Sequence, residues 1–194
     1  MPSFKSINDI DVLSKTVLVR VDFNVPVQNG KVTEATRIER ALPTIRDLIA
    51  KGARVVCLSH FGRPKGQPNA DMSLRPIADS LAEALAKPVA FASNCVGAEA
   101  ESVVAGLAED GVALMENVRF HSGEEANDVN FARALARLGH VYVNDAFSAA
   151  HRAHASTEGL ARLLPAAAGR AMQAELEALG AALENPKRPA AALV

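Results

Sequence analysis

Short β-branched runs alternate along this chain with longer segments of helical period, and that alternation restricts the fold more than any single motif. The runs at residues 17–22 (VLVRVD), 53–59 (ARVVCLS), 88–92 (PVAFA), 111–115 (GVALM) and 140–144 (HVYVN) predict five strands. Between them, Ile38, Leu42, Ile45 and Ile49 recur at helical spacing up to Gly52, with Thr36 and Glu39 placed as a capping box and Pro43 blurring where the helix starts. Ser73 is set to cap a second helix through Leu74, Ile77, Leu81 and Leu85. Asn127 or Asp128 opens a third through Phe131, Leu135 and Leu138, closed by Gly139. After about residue 165 an Ala-rich helix carries Met172, Leu176, Leu179 and Leu183, followed by the breaker NPKRP and by AALV, which reads as the start of another strand. The expected fold class is α/β, a doubly wound, Rossmann-like parallel sheet of about six strands with helices on both faces.

With 49% hydrophobic and 22% charged residues in 194, the composition is that of a globular protein able to bury a large core. Lys and Arg number 21 against 22 Asp and Glu, so there is little net field and no basic stripe for nucleic acid; any anion site must be local. The opening MPSFKSINDI lacks the pattern of a signal peptide and no 18-residue apolar span follows, which predicts the cytosol and no membrane partner. Cys57 in a strand and Cys95 in a loop have neither metal spacing nor disulfide density, and read as reduced structural thiols.

In open parallel α/β sheets, ligands bind outside the carboxyl ends of the strands. There the first predicted strand runs into Asp22 and Asn24, the second into His60 and Arg63, the fourth into Asn117 and Arg119, and the fifth into Asp145, His151 and Arg152. Arg37 adds a guanidinium in the first turn of a helix, where free backbone N–H groups also favour anions. Any one of these arginines alone reads as a solvated surface residue. Several rigid forks on one rim specify a multiply charged anion, a small organic phosphate or polycarboxylate.

Other patterns point elsewhere and are weaker. GRPKG lacks the order of a P-loop and reads as a turn. His151 and His154 have Arg152 between them, which opposes a dication, so no metal is expected. No G-x-S-x-G elbow surrounds Ser148 to support a triad with Asp145 and His151. His121 and His140 read as structural, and Arg20 and Tyr142, inside strands, as packing or supporting groups.

Five ordered stretches, VLVRVDFNVP (17–26), TRIERALPTI (36–45), SHFGRPKG (59–66), LMENVRFHSGEEAND (114–128) and YVNDAFSAAHRAHAST (142–157), closely resemble phosphoglycerate kinase, specifically its N-terminal, substrate-binding half. The resemblance implies a site for 3-phosphoglycerate or 1,3-bisphosphoglycerate. Asp22 and Asn24 would lie on the hydroxyl and carboxylate side, His60, Arg63, Arg119 and Arg152 around the non-transferred phosphate, and Arg37 as the catalytic arginine. Phe61, and Ser148 with Ala149, depart from residues common in the family (Leu, and Gly with Thr) without replacing a group implied to touch substrate. The resemblance further implies a substrate-binding domain at 1–170 and, at 171–194, an interdomain helix leading into a nucleotide domain that these residues do not include. That domain would bind Mg-ADP or Mg-ATP and would be this chain's main partner, in a cytoplasmic, monomeric enzyme of glycolysis that the present residues alone would not make active. The competing expectation is a stand-alone module that binds a phosphorylated metabolite.

Overall fold

The computed structural model describes residues 4–183. Its strands are β1 (Thr16–Arg20), β2 (Val27–Gln28), β3 (Lys31–Val32), β4 (Arg54–Leu58), β5 (Val89–Ala92), β6 (Val112–Met115), β7 (Val141–Asn144) and β8 (Ala166–Ala168). The α-helices are α1 (Thr36–Ala50), α2 (Arg75–Leu85), α3 (Ala98–Ala105), α4 (Ser122–Glu125), α5 (Val129–Ala136), α6 (Leu160–Leu163) and α7 (Arg170–Leu183). Six strands form one sheet in the order β5-β6-β4-β1-β7-β8, every pairing parallel, while β2 and β3 make a separate antiparallel hairpin.

Successive side chains of a strand point to opposite faces, and here both faces meet helices. Val17 and Val19 of β1, with Val55 and Cys57 of β4, pack in one cluster with Ile38, Ile45 and Leu48 of α1 and Ile77 and Leu81 of α2. Leu18, Val56 and Leu58 pack in the other with Phe131 and Leu135 of α5 and Leu160 of α6. Burying each such side chain contributes about 1.5–3 kcal/mol. This is the doubly wound α/β sheet expected from the alternating pattern.

Three local expectations are corrected. No capping box forms at Thr36: the N-cap is Ala35, without a side-chain cap, and the Thr36 N–H donates to Glu34 Oε1 at 2.8 Å. The Ala-rich segment is not helical from 165. Ala166, Ala167 and Ala168 pair with Tyr142, Val143 and Asn144, and the helix waits until Arg170. Alanine's helix preference is outweighed there by backbone pairing on both sides, since the Ala168 N–H also donates to Lys5 O and the Gly169 N–H to Asn144 O, each at 2.8 Å. The β2–β3 hairpin and α3 are further elements beyond the expected set. Nor does Ser73 stand at the cap of α2: the N-cap is Leu74, without a side-chain cap, and Ser73 Oγ accepts the Arg75 N–H at 3.2 Å from one residue further out. The strand expected at AALV lies outside the described residues.

The topology makes a crevice. From β1 the chain crosses through α1 to β4 on one side, and much later arrives through α5 at β7 on the other. The carboxyl end of β1 is therefore a switch point, where loops diverge and leave room for a ligand.

Candidate functional site

The loop after β1 alternates polar and apolar residues, and buried Phe23 anchors it through an N–H donated to Ser59 Oγ at 2.9 Å. Asp22 and Asn24 flank that anchor and share the opposite side. An Asx turn holds them, the Asn24 N–H donating to Asp22 Oδ1 at 3.1 Å, and Asn24 Oδ1 accepts the Gly62 N–H at 3.0 Å, which ties this loop to the one after β4. Gly62 is needed there: its φ is +60°, and a Cβ would lie 2.9 Å from Met72 Sδ.

Asn117 lies two residues beyond β6 and serves the scaffold. Its Nδ2 donates to Phe61 O at 2.7 Å and Met72 O at 3.0 Å, and its Oδ1 accepts the Arg119 N–H, setting the short turn from which Arg119 projects. The Arg119 side chain is 6% exposed, donates through Nη1 to Gly62 O at 2.9 Å, and has Nε 3.3 Å from Glu125 Oε1. Burial lowers its pKa, yet a guanidinium stays charged. Arg37, from the first turn of α1, pairs with Asp22 Oδ2, an oxygen that also accepts from Ser148 Oγ at 2.5 Å. Arg152 Nε hydrogen-bonds His151 Nε2 at 3.2 Å, and Arg63 is exposed, with no ion pair among the described residues.

His60 is 8% exposed, and its Nδ1 lies 3.0 Å from Nη2 of the fully buried Arg20. Burial first, then the charges of Arg20, Arg119, Arg152 and His154, push its pKa down to about 2, so the ring is neutral.

These side chains converge. Asp22, Asn24, Arg37, His60, Arg63, Arg119 and Arg152, all seven singled out from the sequence, line one cleft of about 230 Å³ together with Gly62, Ser148 and Ala149. Four guanidinium groups face one carboxylate there, in a chain whose formal net charge is −1. Asp145, also at a strand end, does different work: its Oδ1 accepts the N–H groups of Ala171 and Met172 and starts α7. His121 stacks on Phe131, and His140 Nδ1 accepts the Thr16 N–H at 3.2 Å. A larger space of about 610 Å³, lined by Pro68, Ser93, Phe120 and His121 among others, includes none of the seven and shows no comparable concentration of charge. Among the described residues, no group of three or more His, Cys, Asp or Glu is placed to hold a metal ion. The Arg20 side chain lies behind His60, as a supporting group signalled by an arginine inside an otherwise apolar strand, whereas the Ser148 hydroxyl on Asp22 escapes sequence reasoning.

The fold and cleft define a class, a doubly wound α/β domain with a cationic crevice at its topological switch point. A family model described as phosphoglycerate kinase matches residues 7–194. The chain belongs to the phosphoglycerate kinase family. It is 60% identical over 192 residues to the phosphoglycerate kinase of Rhodospirillum centenum, covering 99% of this chain and 48% of that protein. With the enzyme of Caulobacter vibrioides the identity is 62% over 192 residues, at the same coverage of 99% and 48%. Among solved structures, phosphoglycerate kinase from Coxiella burnetii superposes with a TM-score of 0.83 at 42% identity, over 96% of this chain and 46% of that one. The Pyrococcus horikoshii enzyme superposes with 0.86 at 33%, over 95% and 47%. The chain thus spans about half the length of the curated relatives it matches, consistent with their N-terminal half.

Proposed function

We propose that this chain is the acid-binding half of a phosphoglycerate kinase and that 3-phosphoglycerate or 1,3-bisphosphoglycerate occupies the cationic cleft. The convergence on about 230 Å³ of seven side chains, six from loops that follow strands and Arg37 from the first turn of α1, carries this reading. The volume suits a three-carbon acid, and the surplus of guanidinium groups suits a ligand that bears both a phosphate and a carboxylate. In this reading Asp22 and Asn24 take the hydroxyl and carboxylate side. His60, Arg63, Arg119 and Arg152 surround the phosphate that stays, and Arg37 is the catalytic residue beside the phosphoryl group in transit.

The reaction needs alignment and charge neutralisation more than proton transfer. When 3-phosphoglycerate is phosphorylated, a carboxylate oxygen forms the new bond to phosphorus, the bond to ADP breaks, and ADP leaves with the electron pair. The attacking carboxylate has a reference pKa of about 4 and is already ionised near neutral pH, so no general base is required. That agrees with a site of arginines in which the one histidine is neutral. Mg-ADP and Mg-ATP belong, in this reading, to a nucleotide domain outside these residues, where magnesium supplies charge neutralisation on the phosphates. Residues 1–170 form the acid-binding domain, and transfer follows closure about a hinge within 171–190, of which 184–190 lie outside the described residues. The assembled enzyme is a cytoplasmic monomer of glycolysis. No helix among the described residues is long and apolar enough to cross a membrane.

Calorimetric titration of the 194-residue chain with 3-phosphoglycerate tests the site. One-to-one binding that weakens in Arg63→Ala is expected, and a wild-type chain that does not bind overturns the reading. Mixing the chain with a separately produced nucleotide half then separates half-enzyme from stand-alone binding module. ATP-dependent phosphorylation of the acid supports the former, and binding without phosphorylation under all closure conditions supports the latter.

A further inference from the structure

Arg20 sits inside β1, fully buried, in a strand whose other residues are Thr, Val and Leu. Among the described residues it makes no direct ion pair within 4 Å. Instead Nε donates to Ser156 Oγ at 2.8 Å, Nη1 donates to Val21 O at 2.5 Å, and Nη2 lies 3.0 Å from His60 Nδ1. Ser156 links it by hydrogen bonds to a carboxylate, its Oγ donating to Glu124 Oε1 at 2.5 Å and its N–H to Oε2 at 2.9 Å, with Glu124 fully buried. The guanidinium is held on several sides and has little freedom to swing away from the imidazole.

A guanidinium offers donors and no acceptor. The ring nitrogen that faces it must therefore accept, so Nδ1 is unprotonated and the proton of the neutral ring sits on Nε2. We propose that Arg20 is a positioning residue that fixes His60 in the Nε2–H tautomer, so that the imidazole is presented to the cleft as a permanent hydrogen-bond donor for a phosphate oxygen. A second proton would have to enter at Nδ1, donor against donor. Every other titratable or charged group bearing on the ring, Arg119, Arg152 and His154, is cationic or becomes so on protonation. What the donor is for rests on the phosphate-binding reading above; which nitrogen carries the proton does not.

Nitrogen-15 NMR of the 194-residue chain reads this directly. The expected spectrum shows an acceptor-type His60 Nδ1 and a protonated Nε2, unchanged between about pH 5 and 8, with a scalar coupling across the hydrogen bond from Arg20 Nη2 to His60 Nδ1. An Nδ1–H tautomer, uptake of a second proton in that range, or absence of the coupling overturns the proposal without any substitution. In Arg20→Met, checked for folding by circular dichroism, both tautomers and an ordinary titration are expected, and a wild-type ring spectrum in the folded variant overturns it. Because the Nε2–H form stays about half populated in that variant, tautomer selection by itself should weaken its binding of 3-phosphoglycerate near pH 8 only about twofold, and the ring spectrum is the deciding readout. If wild type binds no 3-phosphoglycerate while the tautomer is as stated, the functional reading fails and the role of Arg20 stands.

Discussion

Arg37 and Arg63 carry the same charge but stand differently in the cleft. Arg37 is paired with Asp22, whereas Arg63 is exposed without an ion pair among the described residues. In a two-domain enzyme carrying this half, Arg37→Ala should lower kcat by about 10³ or more. Arg63→Ala should raise KM and leave kcat nearly unchanged. Steady-state kinetics on both variants checks this, and equal losses of turnover would remove the division of roles. At the same scale, two buried groups respond oppositely to acid. His60 in the folded chain takes its proton only near pH 2, against an ordinary value of 6.5, so acidification below 6.5 favours the unfolded chain. Asp145 is pushed up to about 6 by burial, against the hydrogen bonds from Thr44 and the Met172 and Ala171 N–H groups, from an ordinary 3.8. The folded chain therefore holds that proton first, and stability from Asp145 is present at low pH and lost as pH rises towards 6. Each slope is at most about 1.4 kcal/mol per pH unit, so the two nearly cancel between about pH 6 and 4. Asp145→Asn removes one of them, and its urea-unfolding stability should fall more steeply over that range than the wild type's; parallel slopes would contradict the assignment.

At the scale of elements, the start of α7 is unusually well fastened. Asp145 Oδ1 accepts the Ala171 and Met172 N–H groups at 2.9 and 3.2 Å, and Arg170 reaches Asp47 Oδ2, Asn8 Oδ1 and, through its own N–H, Thr44 Oγ1. The far end is open, with Leu179 42% and Leu183 76% exposed. In the two-domain reading proposed above, a hinge within 171–190 would have its fixed side at Arg170. Gly169 is the tight point, because a Cβ there would lie 2.3 Å from Asp145 Oδ1. Gly169→Ala should cost about 1–3 kcal/mol by overpacking, read as a lower denaturation midpoint; an unchanged midpoint would show that the β7 end yields freely.

At the scale of the whole molecule, Cys57 and Cys95 lie in the cores on opposite faces of the sheet, at 0% and 1% exposure. Burial pushes the Cys57 thiol up to about 12 and raises that of Cys95 as well, so neither supplies a reactive thiolate while the chain is folded. A thiol reagent should label both only on unfolding and at one common rate, because a single sheet backs both cores. Mass spectrometry resolves the two sites, and faster labelling of one would mean that one helical layer opens independently.

How far the sequence could be read depended on how local the deciding forces were. The long strands and α1, α2 and α5 were legible because β-branched runs and apolar residues at helical spacing report burial directly. The cleft residues were legible in two steps: a parallel sheet sends ligands to the carboxyl ends of its strands, which with the first turn of α1 gave ten polar candidates, and the family resemblance narrowed these to the seven. Thr36 and Glu39 misled because Glu34 competes for the same backbone N–H. The stretch 166–168 misled because alanine carries no pattern, and only pairing with β7 made it a strand. By itself, then, the sequence determined the α/β class, the buried faces and the polar candidates at the strand ends, all consequences of periodicity and chain direction, while the choice among those candidates rested on the family resemblance. Only the tertiary structure decided that Arg20 meets His60 and Ser156, 40 and 136 residues away, and that Asp145 turns from the cleft to start α7. Buried polar groups must find partners wherever the fold brings them, and no local spacing in the chain records where that is.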